Sequence, residues 1–256
     1  MALETEIPAK SLSLTFIKGM TVLKAFDDTQ SPLSLADIAR RTGIERAVVR
    51  RLVLTLVHLG YVRKDGTRYA LTPRILVLAG SFLQSNQFGR AIQPLIEMCA
   101  HELGVSVGMA MLDDDSAVYV AQSAQHSARY TYGFTLGSRL PLLQTSMGRM
   151  LLAWGDPVWA GSVIASAPLV QHTAASIIDR ASIACTIQEA RQAGACIVTD
   201  EFEAGAVGIT VPIGAMGAGK AALGIAEPQT DLPTDRHQAV IDVLRRYAGR
   251  ITPVLG

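Results

Sequence analysis

Cysteine occurs only three times in 256 residues, as Cys99, Cys185 and Cys196, and no pair has Cys-x-x-Cys spacing. That excludes a disulfide framework and a zinc ribbon. Aromatic residues are few, at 5%, and charged residues make up 18%, against 49% hydrophobic. A chain so composed buries a sizeable core and is not disordered throughout. No apolar run approaches the roughly 20 residues of a membrane span; the best stretch, 151–170, holds Asp156, Pro157 and Pro168. The first residues show no basic head followed by an apolar run, so no secretory signal is read and a reduced, cytoplasmic setting is expected.

Catalytic and metal signatures are also missing. There is no Gly-x-Ser-x-Gly elbow, and the five histidines lack ligand spacing. Residues 214–221 fall one residue short of a phosphate-binding P-loop, with Ala221 where the Mg²⁺-binding hydroxyl belongs and a strand expected to follow. A glycine-rich hairpin turn explains the stretch. The three acids 113–115 read as a solvated turn. No catalytic residue, metal or cofactor is expected.

What the sequence has is charge asymmetry. Residues 1–92 carry 13 Lys and Arg against 7 Asp and Glu; residues 93–256 carry 10 against 15. A basic segment beside an acidic remainder fits polyanion binding by one part of the chain. Its length suggests two domains.

Apolar positions 14, 17, 20, 22, 23 and 26 predict a first helix over 14–27. Ser34, with Asp37 three positions on, predicts a capped helix over 35–42. Gly43 punctuates it, and a second helix follows over 45–59, burying Val49, Leu52, Val53, Leu56 and Leu59. A short helix, a glycine turn and a second helix make a helix-turn-helix. The N-terminal residues of the second helix are those that enter a major groove. Here they are Glu45, Arg46, Ala47, Arg50 and Arg51, a face almost without acids for pairing. Arginine reads guanine bidentately and clamps phosphate. Asp65-Gly66 between two β-like runs predicts a hairpin, the wing, with Arg63, Lys64 and Arg68 set against phosphates or the neighbouring minor groove. Ser34 joins them as an expected DNA contact. Residues 74–89 predict a helix that either packs on its own winged domain or pairs with a second copy.

Farther on, strands are expected over 105–112, 117–123, 129–134, 196–199, 206–213 and 221–226. Helices are expected over 147–154, 157–165, 186–194 and 234–251. Antiparallel hairpins among helices imply an α+β domain. The predicted boundaries are 1–73 for the winged domain, 74–92 for a linker helix and 93–256 for the second domain.

The stretches FIKGMTVLKAF, SLADIARRTGIERAVVRRLVLTLVHLGYV and DGTRYALTPRILVLAGSFL resemble the winged helix-turn-helix and linker of IclR-family transcriptional regulators. GSRLPLLQTSMGRMLLAW and DEFEAGAVGITVPI resemble that family's effector domain. The resemblance is nearest to the branch governing aromatic-acid catabolism. It implies a mostly α winged helix-turn-helix followed by an α+β, GAF/profilin-like effector-binding domain. It also implies a homodimer or dimer of dimers on palindromic double-stranded promoter DNA, with no membrane partner. Matching along the motifs points to Arg129, Tyr132, Ser146, Met147, Asp200, Gly208, Gly224 and Ala226 around a small carboxylic-acid effector. Gly224 and Ala226 stand where keto-acid-binding relatives have hydroxyls, so a roomier, more apolar cavity suited to a ring is expected. Arg129 would hold the carboxylate. Tyr132 would meet the ring, and Asp200 would accept from a ring hydroxyl or from Arg129. Glu45 replaces the usual Ser or Thr at the start of the recognition helix. It either favours the helix N-terminus or accepts from cytosine N4, the first ranking higher. The competing reading is a small-molecule enzyme with an appended winged domain for protein contacts.

Overall fold

The computed structural model describes residues 8–26, 32–85, 88–114, 116–124, 134–217 and 219–255, and the chain divides between Phe82 and Leu83 into two units. In the first unit, α1 (Leu14–Lys24) begins at Ser13, whose side chain accepts from the Phe16 amide. Strand β1 (Leu33–Ser34) leads directly into α2 (Leu35–Thr42). Ser34 starts that helix by a reciprocal capping box: its Oγ accepts from Asp37 N–H at 3.2 Å, and Asp37 Oδ2 accepts from Ser34 N–H at 3.1 Å. Gly43, at φ 66°, supplies the left-handed residue that ends it.

The next helix, α3 (Arg46–His58), buries Val49, Val53 and Leu56. These join Val22, Phe26, Ile38, Val62 and Tyr69 in one small core. Strands β2 (Val62–Asp65) and β3 (Arg68–Leu71) form the hairpin, and β1 adds antiparallel to the other side of β3. A winged helix-turn-helix results. Next comes α4 (Arg74–Ser85), and residues 86 and 87 of the expected helix lie outside the described residues. None of its residues 74–82 is buried, and Leu76 and Val77 stand 69% and 66% exposed. Leu14 and Phe16 of α1 are as open, at 69% and 68%.

In the second unit, α5 (Gln93–Leu103) follows one wider π-type turn over 88–92. The hairpin β4 (Gly108–Asp113) and β5 (Ser116–Gln122) comes next, then β6 (Arg139–Leu140), a two-residue edge with no periodicity to announce it. Helices α6 (Ser146–Trp154), α7 (Pro157–Ser166) and α8 (Arg180–Ala193) lead to β7 (Cys196–Thr199), β8 (Ala206–Ile213) and β9 (Ala221–Pro228). The chain closes on α9 (His237–Leu255). The six strands form one antiparallel sheet in the order β6-β5-β4-β9-β8-β7.

Each strand's alternation supplies both faces of this sheet. Val207, Ile209, Val211, Leu223 and Ile225 pack with α5 and α9. Ala110, Ala117, Ala222 and Val198 pack with α6, α7 and α8. The helix expected to start at 186 starts at Arg180, because the Asp179 carboxylate caps it by accepting from Ser182 N–H at 2.7 Å. Residues 129–133 of the expected strand lie outside the described residues, and Phe134 belongs to no strand. The glycine-rich stretch joins β8 to β9 as a turn packed on Trp154, whose Nε1 donates to Gly214 O at 3.0 Å and whose carbonyl accepts from Gly217 N–H at 2.8 Å.

Candidate functional site

On α3 the buried positions fall on one face and leave Arg46, Ala47, Arg50 and Arg51 exposed on the other. Among the described residues, none of these three guanidinium groups has a hydrogen-bond or ion-pair partner. Glu45 occupies the N-cap, exposed, and its side chain makes no cap hydrogen bond. In the wing, Lys64 is likewise unpaired among the described residues, and Arg63 approaches only Asp65, at 3.8 Å. Arg68 is committed locally: its Nη1 donates to Pro32 O at 2.8 Å. Ser34 also spends its hydroxyl locally, donating to Asp37 Oδ2 at 2.7 Å. That bond, the Ser34 N–H and the Arg40 guanidinium together hold the Asp37 carboxyl down at about 2. The face therefore presents positive charge whose donors are unspent.

In the second unit, Thr145 caps α6 by accepting from Gly148 N–H at 3.0 Å. The first two amides of the helix, on Ser146 and Met147, find no acceptor among the described residues. Such amides, at the positive end of a helix, suit an anion. Beside them the Ser146 and Thr210 hydroxyls share a hydrogen bond of 2.9 Å, both buried. The sheet beneath is glycine: a Cβ on Gly208 would lie 2.6 Å from Ser146 Oγ, and one on Gly224 would lie 2.5 Å from Thr210 Oγ1. The space that Gly224 vacates is thus occupied by the Thr210 hydroxyl.

Ser146, Met147, Gly208 and Gly224 come together around this hydroxyl pair. Ala226 sits farther along β9, opposite Gly208 and exposed. Arg129 and Tyr132 lie outside the described residues. Asp200, at a left-handed φ of 61°, turns its carboxylate into its own loop. Hydrogen bonds from the Gln229 side chain and from Gly205 N–H hold that carboxyl below the usual carboxylate range. A cavity of about 250 Å³ opens beside residues 140–144, walled also by Ala167, Pro168, Val170 and His172. Among the described residues, none of the expected effector residues lines it.

Two parts of the site escaped sequence reasoning. Thr210 carried a signal, being a lone hydroxyl within the apolar run AVGITVPI. Arg149 carried none, because its partner lies 52 positions away. It is 1% exposed, donates through Nε to Leu143 O at 2.7 Å, and forks onto Glu201 at 2.8 and 2.6 Å. Glu201 Oε2 also accepts from Ile177 N–H at 3.2 Å. One buried ion pair thereby fixes the segments leading into α6, out of α7 and out of β7. Among the described residues, no cluster of His, Cys, Asp and Glu is fit for a metal, and no helix is long and apolar enough to cross a membrane.

Comparison with known proteins bears on both sites. The family model described as the IclR helix-turn-helix domain matches residues 16–66, and that described as the bacterial transcriptional regulator IclR C-terminal domain matches residues 81–252. The Pca regulon regulatory protein of Pseudomonas putida is 36% identical over 196 residues, covering 77% of this chain and 67% of its own. The p-hydroxybenzoate hydroxylase transcriptional activator of Acinetobacter baylyi is 32% identical over 212 residues, covering 81% of this chain and 78% of its own. A crystal structure of a double mutant of the PobR inducer-binding domain from Acinetobacter, in complex with 3-hydroxybenzoic acid, is 28% identical. It aligns at a TM-score of 0.57, covering 62% of this chain and 94% of that one.

Proposed function

Since the chain belongs to the IclR family of bacterial transcriptional regulators, a ligand-responsive DNA-binding regulator and not an enzyme, we propose that its effector is a small aromatic carboxylic acid. The observation that carries this reading is the start of α6: two amides without acceptors, beside the Ser146–Thr210 hydroxyl pair, above Gly208 and Gly224. Amides at a helix N-terminus and neutral hydroxyls accept a carboxylate without needing a counter-ion. The relatives that act on hydroxybenzoate genes or hold a hydroxybenzoic acid supply the ring. Met147, the second residue of α6, borders this cradle. Thermal-shift measurement with benzoates and short 2-keto acids tests the reading, since a ligand of the native state raises Tm. A rise with benzoates is expected; a response confined to keto acids overturns it.

Two copies then bind a palindromic promoter site, each laying the start of α3 in a major groove and its wing along the backbone. Arg46, Arg50 and Arg51 support this reading because their charge is unspent. The apolar faces of α1 and α4 support the pairing of copies: Leu14, Phe16, Leu76 and Val77 have nothing of their own unit to cover them. Fluorescence anisotropy with a promoter duplex over a salt series is the test. Affinity should fall steeply as salt rises. Replacing all three arginines by alanine should abolish binding while sedimentation still reports a dimer. Binding indifferent to salt and to the triple substitution overturns the promoter reading, and a monomer in sedimentation overturns the pairing.

A further inference from the structure

The start of α6 is held by a side chain one turn into the helix. Arg149 N–H donates to Thr145 O at 2.9 Å, closing the first turn, and Arg149 Nε donates to Leu143 O at 2.7 Å, just ahead of the cap. Gly148 admits that close approach: a Cβ there would lie 2.5 Å from Leu142 Cα. The guanidinium is aimed in turn by Glu201, onto whose carboxylate oxygens it forks at 2.8 and 2.6 Å. Glu201 is itself tied down, its Oε2 accepting from Ile177 N–H at 3.2 Å and its carbonyl from Ser176 Oγ at 2.6 Å. Beside it, the Asp200 carbonyl accepts from Thr173 Oγ1 at 2.6 Å, and the Asp200 N–H donates to the carbonyl of Ala206 at 2.9 Å, where β8 begins. The same strand carries Gly208, whose missing Cβ leaves room for the Ser146 hydroxyl. The ion pair thus closes a ring through both sides of the contact between α6 and β8.

Stability does not account for a charge pair in this place. Taking both ions out of water costs about as much as their attraction returns, so well-packed apolar residues of similar volume often serve as well. Geometry does account for it. A planar guanidinium reaches Leu143 O and both Glu201 oxygens at once and fixes their directions. We infer that Arg149 and Glu201 are positioning residues of the effector site, holding the Ser146 and Met147 amides in the directions that a bound carboxylate needs. Arg149 is enclosed, at 1% exposure, so it acts through those amides and not on the ligand. Direction matters because a hydrogen bond weakens steeply as its angle departs from linear. Amides at the start of a helix can serve an anion only while the turn that carries them is fixed.

The inference rests on the aromatic-acid reading above. Its test is calorimetric titration of the full chain with benzoate, alongside denaturant unfolding and amide NMR spectra with and without benzoate. Two variants remove the clamp while sparing the fold. Arg149→Met with Glu201→Met leaves no unpaired ion, and Arg149→Lys keeps the charge but loses the fork. In each, the unfolding midpoint should stay near that of wild type while benzoate binds about tenfold more weakly, the size of one misaligned hydrogen bond to a charged group. The Ser146 and Met147 amide resonances should move when benzoate saturates the wild type, and move less in the variants. A pair that only held the fold together would leave affinity untouched wherever the midpoint is untouched. Wild-type affinity in either folded variant therefore overturns the positioning role alone, and should one of the two fail to fold, the other decides. Wild-type protein that binds no benzoate sinks the aromatic-acid reading and this inference with it.

Discussion

In the first unit Arg46, Arg50 and Arg51 stand in solvent with no partner among the described residues. In the second, Arg149 is 1% exposed and uses Nε and both Nη atoms on Leu143 and Glu201. Its neighbours behave alike: Arg180 donates to the carbonyls of Ile164 and Ala167, and Arg191 to those of Ala153 and Gly155. A guanidinium has five donors and no acceptor, so it must find oxygen somewhere. Where the fold provides the oxygen, arginine is a structural element. Where the fold withholds it, the donors are left to water and are free for a ligand; on α3 we propose that this ligand is a phosphate backbone or a base edge. The difference lies in the surroundings of the residue, not in its type.

Removing one arginine from each class sharpens that contrast most. Arg149→Met leaves Glu201, at 11% side-chain exposure, without its cation. Breaking a buried pair from one side costs about 3–5 kcal/mol, whereas replacing both partners by apolar residues is often close to neutral. Denaturant unfolding followed by Trp154 and Trp159 fluorescence, both in the second unit, should therefore show a large loss for Arg149→Met and substantial recovery in Arg149→Met with Glu201→Met. A single variant as stable as wild type would mean that the pair holds nothing together. Arg50→Ala should do the reverse. Its midpoint should stay within about 0.5 kcal/mol of wild type, as for surface positions generally, while promoter affinity falls by about 1–3 kcal/mol if the side chain reads a base. Should Arg50→Ala unfold the winged unit instead, the distinction between the two classes would collapse.

The same contrast explains how much was legible beforehand. Everything that α2 and α3 need is local: the Ser34–Asp37 cap, Gly43 and the spacing of Val49, Val53 and Leu56 lie within a short stretch. The absence of acids among the α3 arginines is local as well, so unspent charge can be read from spacing. The second unit is assembled across distance. Ser146 meets Thr210 across 64 positions and Arg149 meets Glu201 across 52. Periodicity gave the strands of the sheet, with β6 as the exception, but not which strands lie side by side. It was therefore silent on Gly108 and Gly224 pairing across β4 and β9. The roomier cavity inferred from Gly224 rested on what that residue lacks, whereas the fold fills the direction with Thr210 from the next strand.

Local origin also sets the scale of the smaller effects expected in the first unit. Ser34→Ala removes the cap of α2, a change worth about 1 kcal/mol. The loss should appear in denaturant unfolding followed by helical circular dichroism and leave the tryptophan transition unmoved. A tryptophan transition that shifted equally would show the two units to be less independent than their separate cores imply.

The smallest effect expected is one of pH, and its sign is fixed by Asp37. The Ser34 hydroxyl, the Ser34 N–H and the Arg40 guanidinium hold this carboxyl at about 2, below its ordinary 3.8. A carboxylate with a depressed pKa in the folded state contributes stability above its ordinary value and loses it as pH falls through the folded value. Protection of the α2 amides against hydrogen exchange should therefore weaken between about pH 4 and pH 2, with Asp37 titrating near the lower limit by NMR. In Ser34→Ala the largest of those hydrogen bonds is gone, so the midpoint should move back towards 3.8. An Asp37 that titrates near 3.8 in the wild type would mean that the box is open in solution. The start of α2 would then owe its position to packing of Leu33 and Ile38 rather than to its cap.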